Sequence, residues 1–171
     1  DLDPGRLAGG QGHIVAERYE ITAVVGTGAL GMVYKAFDQE VEVDVALKVI
    51  SDEFLPDEDA RQHFLLSMQR TRDLVHENVV RYFDVDHDGD RCFYVMQFLE
   101  GLTLRKIMDL RRSKEQRFSV GEVEPILTQL CRALQATSDT MVHGGLKPEN
   151  VVILPDQLRV TDFGLPEALP R

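Results

Sequence analysis

Apolar and polar positions alternate along the first part of the chain in three successive runs. The runs span residues 19–25, 32–37 and 41–50, and glycines separate the first from the second. The third run has an apolar residue at every second position, namely Val43, Val45, Leu47 and Val49. This is the period of a half-buried strand, so the pattern predicts three consecutive antiparallel strands.

A helix and a hairpin are predicted next. Pro56 to Asp59 suit a helix start, because acidic residues stabilise a first turn. Apolar or partly apolar side chains follow at helical spacing, namely Phe64, Leu65, Met68, Arg72 and Val75. Residues 79–85 and 92–99 are two further strand-like runs around an acidic turn. The first hundred residues therefore predict a five-stranded antiparallel sheet with one helix.

The pattern becomes mainly helical after Gly101. Residues 103–112 and 120–139 have the apolar period of helices, and residues 151–154 and 158–160 are short strands. The fold class predicted is α+β. Its organisation is a flexible, glycine-containing arm at 1–16, a lobe at 17–100 with a hinge at about 97–101, and a second lobe at 102–171.

Composition narrows the class of protein. The chain is 43% hydrophobic and 28% charged, as in folded proteins, and its net charge is −10. An acidic chain is unsuited to nucleic acid, which needs clustered cations. The basic residues at 111–117 are interpreted as a solvated helix end. No apolar run reaches the ~18 residues of a membrane span, and no signal peptide is visible. We expect a cytoplasmic domain, and the alternative of a membrane anchor outside this segment stays open. Cys92 and Cys131 are predicted to be buried free thiols.

The glycines between the first two strands form the pattern Gly26-Thr27-Gly28-Ala29-Leu30-Gly31. In a dinucleotide-binding unit this pattern opens a helix. Here β-rich residues follow it, which favours a hairpin whose exposed backbone N–H groups lie over phosphates.

Three further motifs follow in order: Val45-Ala46-Leu47-Lys48, His143-Gly144-Gly145-Leu146-Lys147-Pro148-Glu149-Asn150 and Asp162-Phe163-Gly164. With the glycine pattern they resemble the glycine loop, strand lysine, catalytic loop and D-F-G element of protein kinases. The chain is similar to the bacterial Ser/Thr type of this family from about Arg18 to Gly164.

The resemblance implies ATP and Mg²⁺ as ligands. Met96 is expected at the gatekeeper position, with the hinge at Gln97 to Leu99, and Asn150 and Asp162 are the expected metal ligands. The remaining residues expected to contact the nucleotide are Gly26, Gly28, Gly31, Val33, Ala46, Lys48 and Lys147.

Two positions depart from the family pattern. Gly144-Gly145 replaces the Arg-Asp pair whose aspartate accepts the substrate proton, and Ser67 occupies the position of the helix glutamate that pairs with Lys48. Without that glutamate, Asp162 is expected to pair with Lys48, which competes with its binding of Mg²⁺. We therefore expect nucleotide binding that is weak or independent of metal. The departures predict a catalytically inactive kinase-like domain that is not an enzyme and that regulates or scaffolds another protein. The alternatives are a slow or atypical ATP-dependent Ser/Thr kinase, and an interaction scaffold without nucleotide.

The chain has only seven residues after Gly164. In a kinase fold, the apolar side of the 120–139 helix would then be uncovered. We expect either that the natural protein continues beyond Arg171 or that another chain covers this helix.

Overall fold

The structure, a computed structural model, describes residues 11–170, and these form two compact units. The first unit contains residues 11–72, 82–98 and 167–170 of the described chain. The second contains residues 73–81 and 99–166. The glycine pattern and Lys48 lie in the first unit, and residues 143–150 and 162–164 lie in the second.

An antiparallel sheet of six strands dominates the first unit, in the order β1-β2-β3-β4-β6-β5. The strands are β1 (Ile14–Val15), β2 (Tyr19–Gly28), β3 (Gly31–Asp38), β4 (Val43–Ile50), β5 (Tyr82–Asp88) and β6 (Arg91–Gln97). The five predicted strands are confirmed, and β1 is an addition. The first ten residues of the predicted arm lie outside the described residues. Its end is a strand rather than a flexible arm, because β1 pairs with β2 and buries Val15.

One face of this sheet forms the core. The side chains of this face alternate along the strands and include Met32, Tyr34, Ala36, Val45, Leu47, Val49, Phe93 and Val95. Directly paired residues of an antiparallel sheet share a face. The alternation therefore places Val33, Ala46, Lys48 and Met96 together on the opposite face.

A charged pair fixes the start of β2 against the end of β3. Arg18 donates from Nε and Nη2 to the two carboxylate oxygens of Asp38, at 2.9 and 2.7 Å. The Asp38 carboxylate also accepts from the backbone N–H of Glu40 at 3.0 Å. The hydrogen bonds from Arg18 lower the pKa of Asp38 although the carboxyl is buried.

The first unit has one principal helix, α1 (Glu58–Gln69), and it buries Phe64 and Met68. Asp57 caps it by accepting from the N–H of Ala60 at 2.8 Å. The predicted apolar face extends too far, because α1 ends at Gln69 and Val75 is exposed.

The second unit combines two helices with a three-stranded sheet. The helices are α2 (Leu104–Ser113) and α3 (Val120–Thr137), and a short α4 (Leu165–Ala168) begins in this unit. The strands, in the order β7-β8-β9, are β7 (Leu102–Thr103), β8 (Val151–Ile153) and β9 (Leu158–Val160). The backbone of Gly101, directly before β7, lies close to the backbone of β8. A Cβ at this position would lie 2.4 Å from the carbonyl oxygen of Ile153.

Two sequence predictions are corrected by the structure, those for residues 79–80 and for Cys131. Val79 and Val80 do not belong to the predicted hairpin strand; Val79 bridges Val160, and the N–H of Val80 donates to Val160 O at 2.9 Å. Cys131 is exposed, whereas Cys92 is buried and burial raises its pKa to about 11. Pro166 lies inside α4, at the second position, where no N–H is required.

The outer side of α3 is only partly covered. Ala133 and Thr137 are buried, but Val120 and Leu127 are exposed. Among residues 11–170, none of the helices has both the length and the apolar character needed to cross a bilayer.

Candidate functional site

The glycine pattern forms the end of the hairpin between β2 and β3, as predicted. Gly28 pairs with Gly31, and Thr27 pairs with Met32. Only Ala29 and Leu30 lie between the two strands. The backbone of a tight turn is thus presented at the end of the sheet.

The three glycines of this turn have different surroundings. A Cβ at Gly31, where φ is +147°, would lie 1.9 Å from the carbonyl oxygen of Val49. A Cβ at Gly26 would meet nothing within 4 Å, and one at Gly28 would have an ordinary contact of 3.7 Å. The fold therefore requires glycine at position 31, whereas positions 26 and 28 leave open space beside the backbone.

Lys48 is at the middle of the face opposite the core. It pairs with Val33 of β3 on one side and with Tyr94 of β6 on the other. Two residues earlier, Ala46 pairs with Met96. The four predicted side chains of this face therefore share one surface within the first unit, and Lys48 itself is buried.

Two valines beside the turn were not predicted as site residues. The pairing of β2 with β3 shifts between Ile21 and Ala23 and again between Val24 and Gly26. These irregularities interrupt the alternation, and Val24 and Val25 are both 54% exposed. The sequence signal for these two residues was their position, because two apolar residues come directly before a glycine turn. Exposed apolar side chains at such a turn are suited to contact with a ligand.

The predicted hinge residues lie at the end of β6 and directly after it. Gln97 ends that strand opposite Val45 in the first unit. Leu99 belongs to the second unit, where its carbonyl oxygen accepts from the N–H of Gly101 at 3.0 Å.

Ser67 lies on α1, where the family glutamate was expected. Its Oγ is 3.5 Å from Nε2 of His63, which also contacts the carbonyl oxygen of Glu167 at 3.1 Å. The acids of α1 are Glu58 and Asp59, both in its first turn. The helix therefore supplies no carboxylate at the position of Ser67.

His143 anchors the catalytic loop in the second unit. Its Nδ1 accepts from the N–H of Gly145 at 3.2 Å, so the neutral ring donates from Nε2 to Thr161 O at 2.8 Å. The ring packs against Phe163 with the centroids 4.6 Å apart. Burial lowers the pKa of His143, which favours this neutral form.

Asn150 and Asp162 carry the oxygen atoms suited to a metal. Asn150 is buried, donates from Nδ2 to Gly145 O at 3.0 Å, and accepts at its carbonyl oxygen from the N–H of Thr161 at 2.8 Å. Asp162 is buried with a φ of +65°, a conformation uncommon for a residue with a side chain. Such backbone strain is typical of functional positions.

These oxygen atoms suit Mg²⁺ bound together with a nucleotide. Within the described part of the chain, no three His, Cys, Asp or Glu side chains gather as a metal site. Mg²⁺ usually takes one or two carboxylates and completes its shell with water and substrate phosphates. The two residues therefore fit a metal that arrives with its phosphates.

Positions 144 and 145 of the loop before Asn150 carry no side chain that could act as a base. Gly144 has a φ of +75°, and Gly145 is partly buried beneath Pro166. A Cβ at position 145 would lie 3.1 Å from Cγ of Pro166. Lys147 is exposed.

Comparison with known proteins decides the family. The sequence profile of the protein kinase domain matches residues 19–171. The chain belongs to the protein kinase domain family. It is 31% identical over 159 residues to a probable serine/threonine-protein kinase of Clostridium acetobutylicum, covering 92% of this chain and 24% of that protein. It is 33% identical over 162 residues to the probable serine/threonine-protein kinase PknB of Corynebacterium glutamicum, covering 91% of this chain and 24% of that protein.

Solved structures agree with the predicted fold class. The crystal structure of the Mycobacterium tuberculosis PknI kinase domain superimposes with a TM-score of 0.80 at 25% identity, covering 91% of this chain and 62% of that one. The α+β kinase-like fold and the bacterial Ser/Thr kinase resemblance are thereby confirmed. The chain spans about a quarter of the length of the curated relatives it matches.

One prediction is overturned by these relatives. The expectation that the chain is not an enzyme is wrong, because the similar proteins are named serine/threonine-protein kinases, which are enzymes. A positioned acid or base accounts for ~10²–10⁴ of the rate of a kinase, so the absence of a carboxylate at position 145 does not by itself show that the chain is inactive.

Proposed function

We propose that the chain binds ATP with Mg²⁺ as part of a Ser/Thr protein kinase whose phosphoryl transfer is slow. The observation that carries the proposal is the open space at Gly26 and Gly28. Neither glycine is needed by the packing of the hairpin, so the absence of side chains is explained by the close approach of a ligand. Backbone N–H groups in such a turn are suited to phosphate oxygens.

The residues of the two units supply complementary chemistry. In the first unit, Lys48 provides the cation for the phosphates, and Val33, Ala46 and Met96 on the same face provide apolar contact for the base. In the second, Asn150 and Asp162 provide oxygen ligands for Mg²⁺, and Lys147 provides an exposed cation. We assign hinge recognition of the base to Gln97 and Leu99.

The expected rate of phosphoryl transfer follows from the carboxylates that are absent at positions 145 and 67. A positioned acid or base contributes ~10²–10⁴ in rate, and protein kinases turn over at ~1–100 s⁻¹. Because Gly145 supplies no carboxylate and Ser67 supplies no partner for Lys48, transfer depends on positioning and on charge stabilisation by Mg²⁺ and lysine. A turnover of ~10⁻⁴–1 s⁻¹ is therefore expected from the missing base alone.

The acceptor and the cellular setting belong to the same proposal. A Ser or Thr hydroxyl of another protein is the acceptor, and the same partner is the target of regulation. The cytoplasm is the compartment in which such a domain meets ATP.

The test is transfer of label from γ-labelled ATP to Ser- and Thr-containing peptides, with Mg²⁺ in excess. We expect slow transfer that Lys48→Ala and Asp162→Ala each abolish. Lys106→Ala, which removes an exposed cation of α2, is the matched control and is expected to retain the rate. Transfer that persists unchanged in Asp162→Ala would contradict the proposal.

A further inference from the structure

A cleft of about 510 Å³ lies in the second unit at the end of α2. Its walls are the last turns of α2 and the loop that follows this helix, up to Phe118. None of the residues of these walls was assigned to nucleotide or metal above. The cleft is therefore a separate feature of the second unit.

The helix beside this cleft is less covered than the other two long helices of the described chain. α1 and α3 each bury two residues, whereas α2 buries none. Two apolar side chains of the cleft, Met108 and Phe118, are only half-buried. The cleft thus has an apolar wall that the described part of the chain leaves partly open, and such a wall is suited to contact with another molecule.

The cleft also carries positive charge in a chain whose net charge is −10. It is lined by Arg111, Arg112 and Arg117, and its one acidic residue is Glu115. A solvated helix end accounts for the cations in the last turn of α2, but Arg117 lies beyond the helix. The side chains of Arg112 and Arg117 are exposed, and neither has an ion pair or a hydrogen bond among the described residues. Two guanidinium groups are therefore available to a ligand.

Backbone hydrogen bonds fix the loop that brings Arg117 to the cleft. The N–H of Glu115 donates to the carbonyl oxygen of Arg112 at 3.1 Å. The N–H of Gln116 donates to the carbonyl oxygen of Arg111 at 2.9 Å. This pair of hydrogen bonds is a Schellman motif, and Glu115 has the left-handed backbone that the motif requires, with a φ of +54°.

Arg111 ties the same loop to the start of α3. Its guanidinium carbon lies 4.1 Å from the centroid of the Phe118 ring, and its Nη1 donates to the carbonyl oxygen of Arg117 at 3.3 Å. Its Nη2 pairs with the carboxylate of Glu122. These contacts occupy Arg111 and hold the walls of the cleft in place. A site whose walls are already ordered loses less entropy when a ligand binds.

The two unpaired guanidinium groups indicate the chemistry of the ligand. A guanidinium donates as a planar fork to two acceptor oxygens at once. A carboxylate offers two oxygens and one charge, so it matches one fork. A phosphomonoester offers three acceptor oxygens and a charge of about −1.5 to −2, so it matches two. Clusters of arginine are a recurring means of binding phosphorylated peptides.

We propose that this cleft binds a phosphorylated Ser or Thr side chain of a partner protein. Arg112 and Arg117 hold the phosphate group, and Met108 and Phe118 provide apolar contact for the neighbouring residues of the partner. Glu115 repels the phosphate and thereby limits the affinity. The inference does not use ATP or Mg²⁺, and its test contains neither, so failure of either proposal leaves the other standing.

The experiment uses the full chain and a fluorescent peptide, Ala-Leu-Ser-Leu-Ala, with its serine phosphorylated. The controls are the unphosphorylated peptide and a peptide with glutamate in place of serine. Binding is measured by fluorescence anisotropy at low salt and is mapped by shifts of backbone amide resonances. We expect the phosphorylated peptide to bind with shifts centred on residues 111–118, and the glutamate peptide to bind about fivefold more weakly or less. Equal affinity for the glutamate peptide, or for the unphosphorylated one, would overturn the proposal.

Matched variants separate the cleft from the other cations of the second unit. The double variant Arg112→Gln, Arg117→Gln is expected to weaken the phosphorylated peptide about tenfold. Both side chains are exposed and unpaired in the described chain, so the fold is expected to be retained. The control double variant Lys106→Gln, Arg132→Gln removes the same charge elsewhere and is expected to change the affinity less than about twofold. Equal losses in the two double variants, or shifts centred outside residues 111–118, would contradict the proposal.

A variant with the opposite sign tests the role of Glu115. Glu115→Gly removes the opposing carboxylate, and glycine is favoured at this left-handed position, so the fold is expected to be retained. The affinity for the phosphorylated peptide should rise about threefold. Glu124→Gln removes one charge from α3 outside the cleft and should leave the affinity unchanged. Unchanged or weaker binding in Glu115→Gly would show that the phosphate does not lie in this cleft.

Discussion

Two loops of this chain that correspond to functional loops of the protein kinase family contain glycines, and the surroundings of these glycines are opposite. In the hairpin of the first unit, Gly26 and Gly28 have open space where a side chain would be. In the catalytic loop of the second unit, Gly144 and Gly145 have Pro166 packed beside them. The first loop has open space beside its backbone, whereas the second is partly filled by the side chain of Pro166.

This difference shows that the role of a glycine depends on the residues that surround it. The same residue type leaves open space beside the backbone in one loop and supplies no carboxylate in the other. If the proposed function is correct, substitutions in the first loop affect nucleotide affinity and substitutions in the second affect the rate of transfer.

The largest effect is expected from restoring a carboxylate in the second loop. Gly145→Asp should raise the rate of phosphoryl transfer by ~10²–10⁴, since a positioned base contributes that much. Pro166 would lie 3.1 Å from the new Cβ, so Gly145→Asp combined with Pro166→Ala should exceed the single variant. The measurement is label transfer from ATP, with Gly145→Asn as the control of the same shape. A rate in Gly145→Asp no higher than in Gly145→Asn would show that the missing base does not limit transfer.

The second largest effect is expected in the free energy of unfolding when a side chain is added at Gly31, the glycine of the first loop that the fold requires. Gly31→Ala would place a Cβ 1.9 Å from Val49 O, so β3 and β4 must separate locally. We expect a loss of about 3 kcal/mol in the free energy of unfolding, in the range of severe backbone and packing substitutions. Urea unfolding followed by circular dichroism measures it. Stability unchanged within ~0.5 kcal/mol would mean that the hairpin is not packed against β4 as described.

A smaller effect is expected at the ligand glycine of the same loop. Gly28→Ala meets only an ordinary contact, so the free energy of unfolding should stay within ~1 kcal/mol of the parent value. The added methyl group should weaken ATP about tenfold, because it occupies the space assigned to phosphate. Isothermal titration with ATP and Mg²⁺ gives the affinity. Unchanged affinity in a folded variant would argue against phosphate at this turn.

The smallest effect is expected in the pH dependence of the free energy of unfolding, to which His143 of the second loop contributes. Burial lowers the pKa of His143 in the folded chain, so between that pKa and the ordinary value of about 6.5 the unfolded chain binds more protons. The stabilisation is complete above about pH 6.5 and is lost as pH falls below it. Urea unfolding at pH 7.5, 6.5 and 5.5 should show this decline, and His143→Gln should reduce it. His87→Gln, at an exposed position, should keep the parent's decline. An unaltered decline in His143→Gln would contradict the assignment.

Much of the fold was predictable because its strands and helices have regular periods. The hairpin around Gly28, the alternation along β4 and the long helix α3 all follow from local apolar spacing. Long-range contacts explain where the prediction failed. Val79 was assigned to a strand of the first unit from its apolar character, but it pairs with Val160, eighty-one residues away in the sequence.

The residues of the candidate site that belong to family motifs could be predicted from the sequence. The motifs located Lys48, Asn150 and Asp162, and the structure buries all three. They did not indicate that Pro166 packs on Gly145, because that contact depends on the path of the chain after Gly164.

The most direct test of the central claim is thermal unfolding of the chain with and without ATP, each with and without Mg²⁺, beside Lys48→Ala. A ligand of the native state at 100 times its Kd adds ~2.7 kcal/mol, which raises the Tm of a chain this size by roughly 5–11 °C. We predict a rise of this order with ATP and Mg²⁺ that Lys48→Ala removes. An equal rise in the parent and in Lys48→Ala, or no rise at millimolar ATP, would contradict the account.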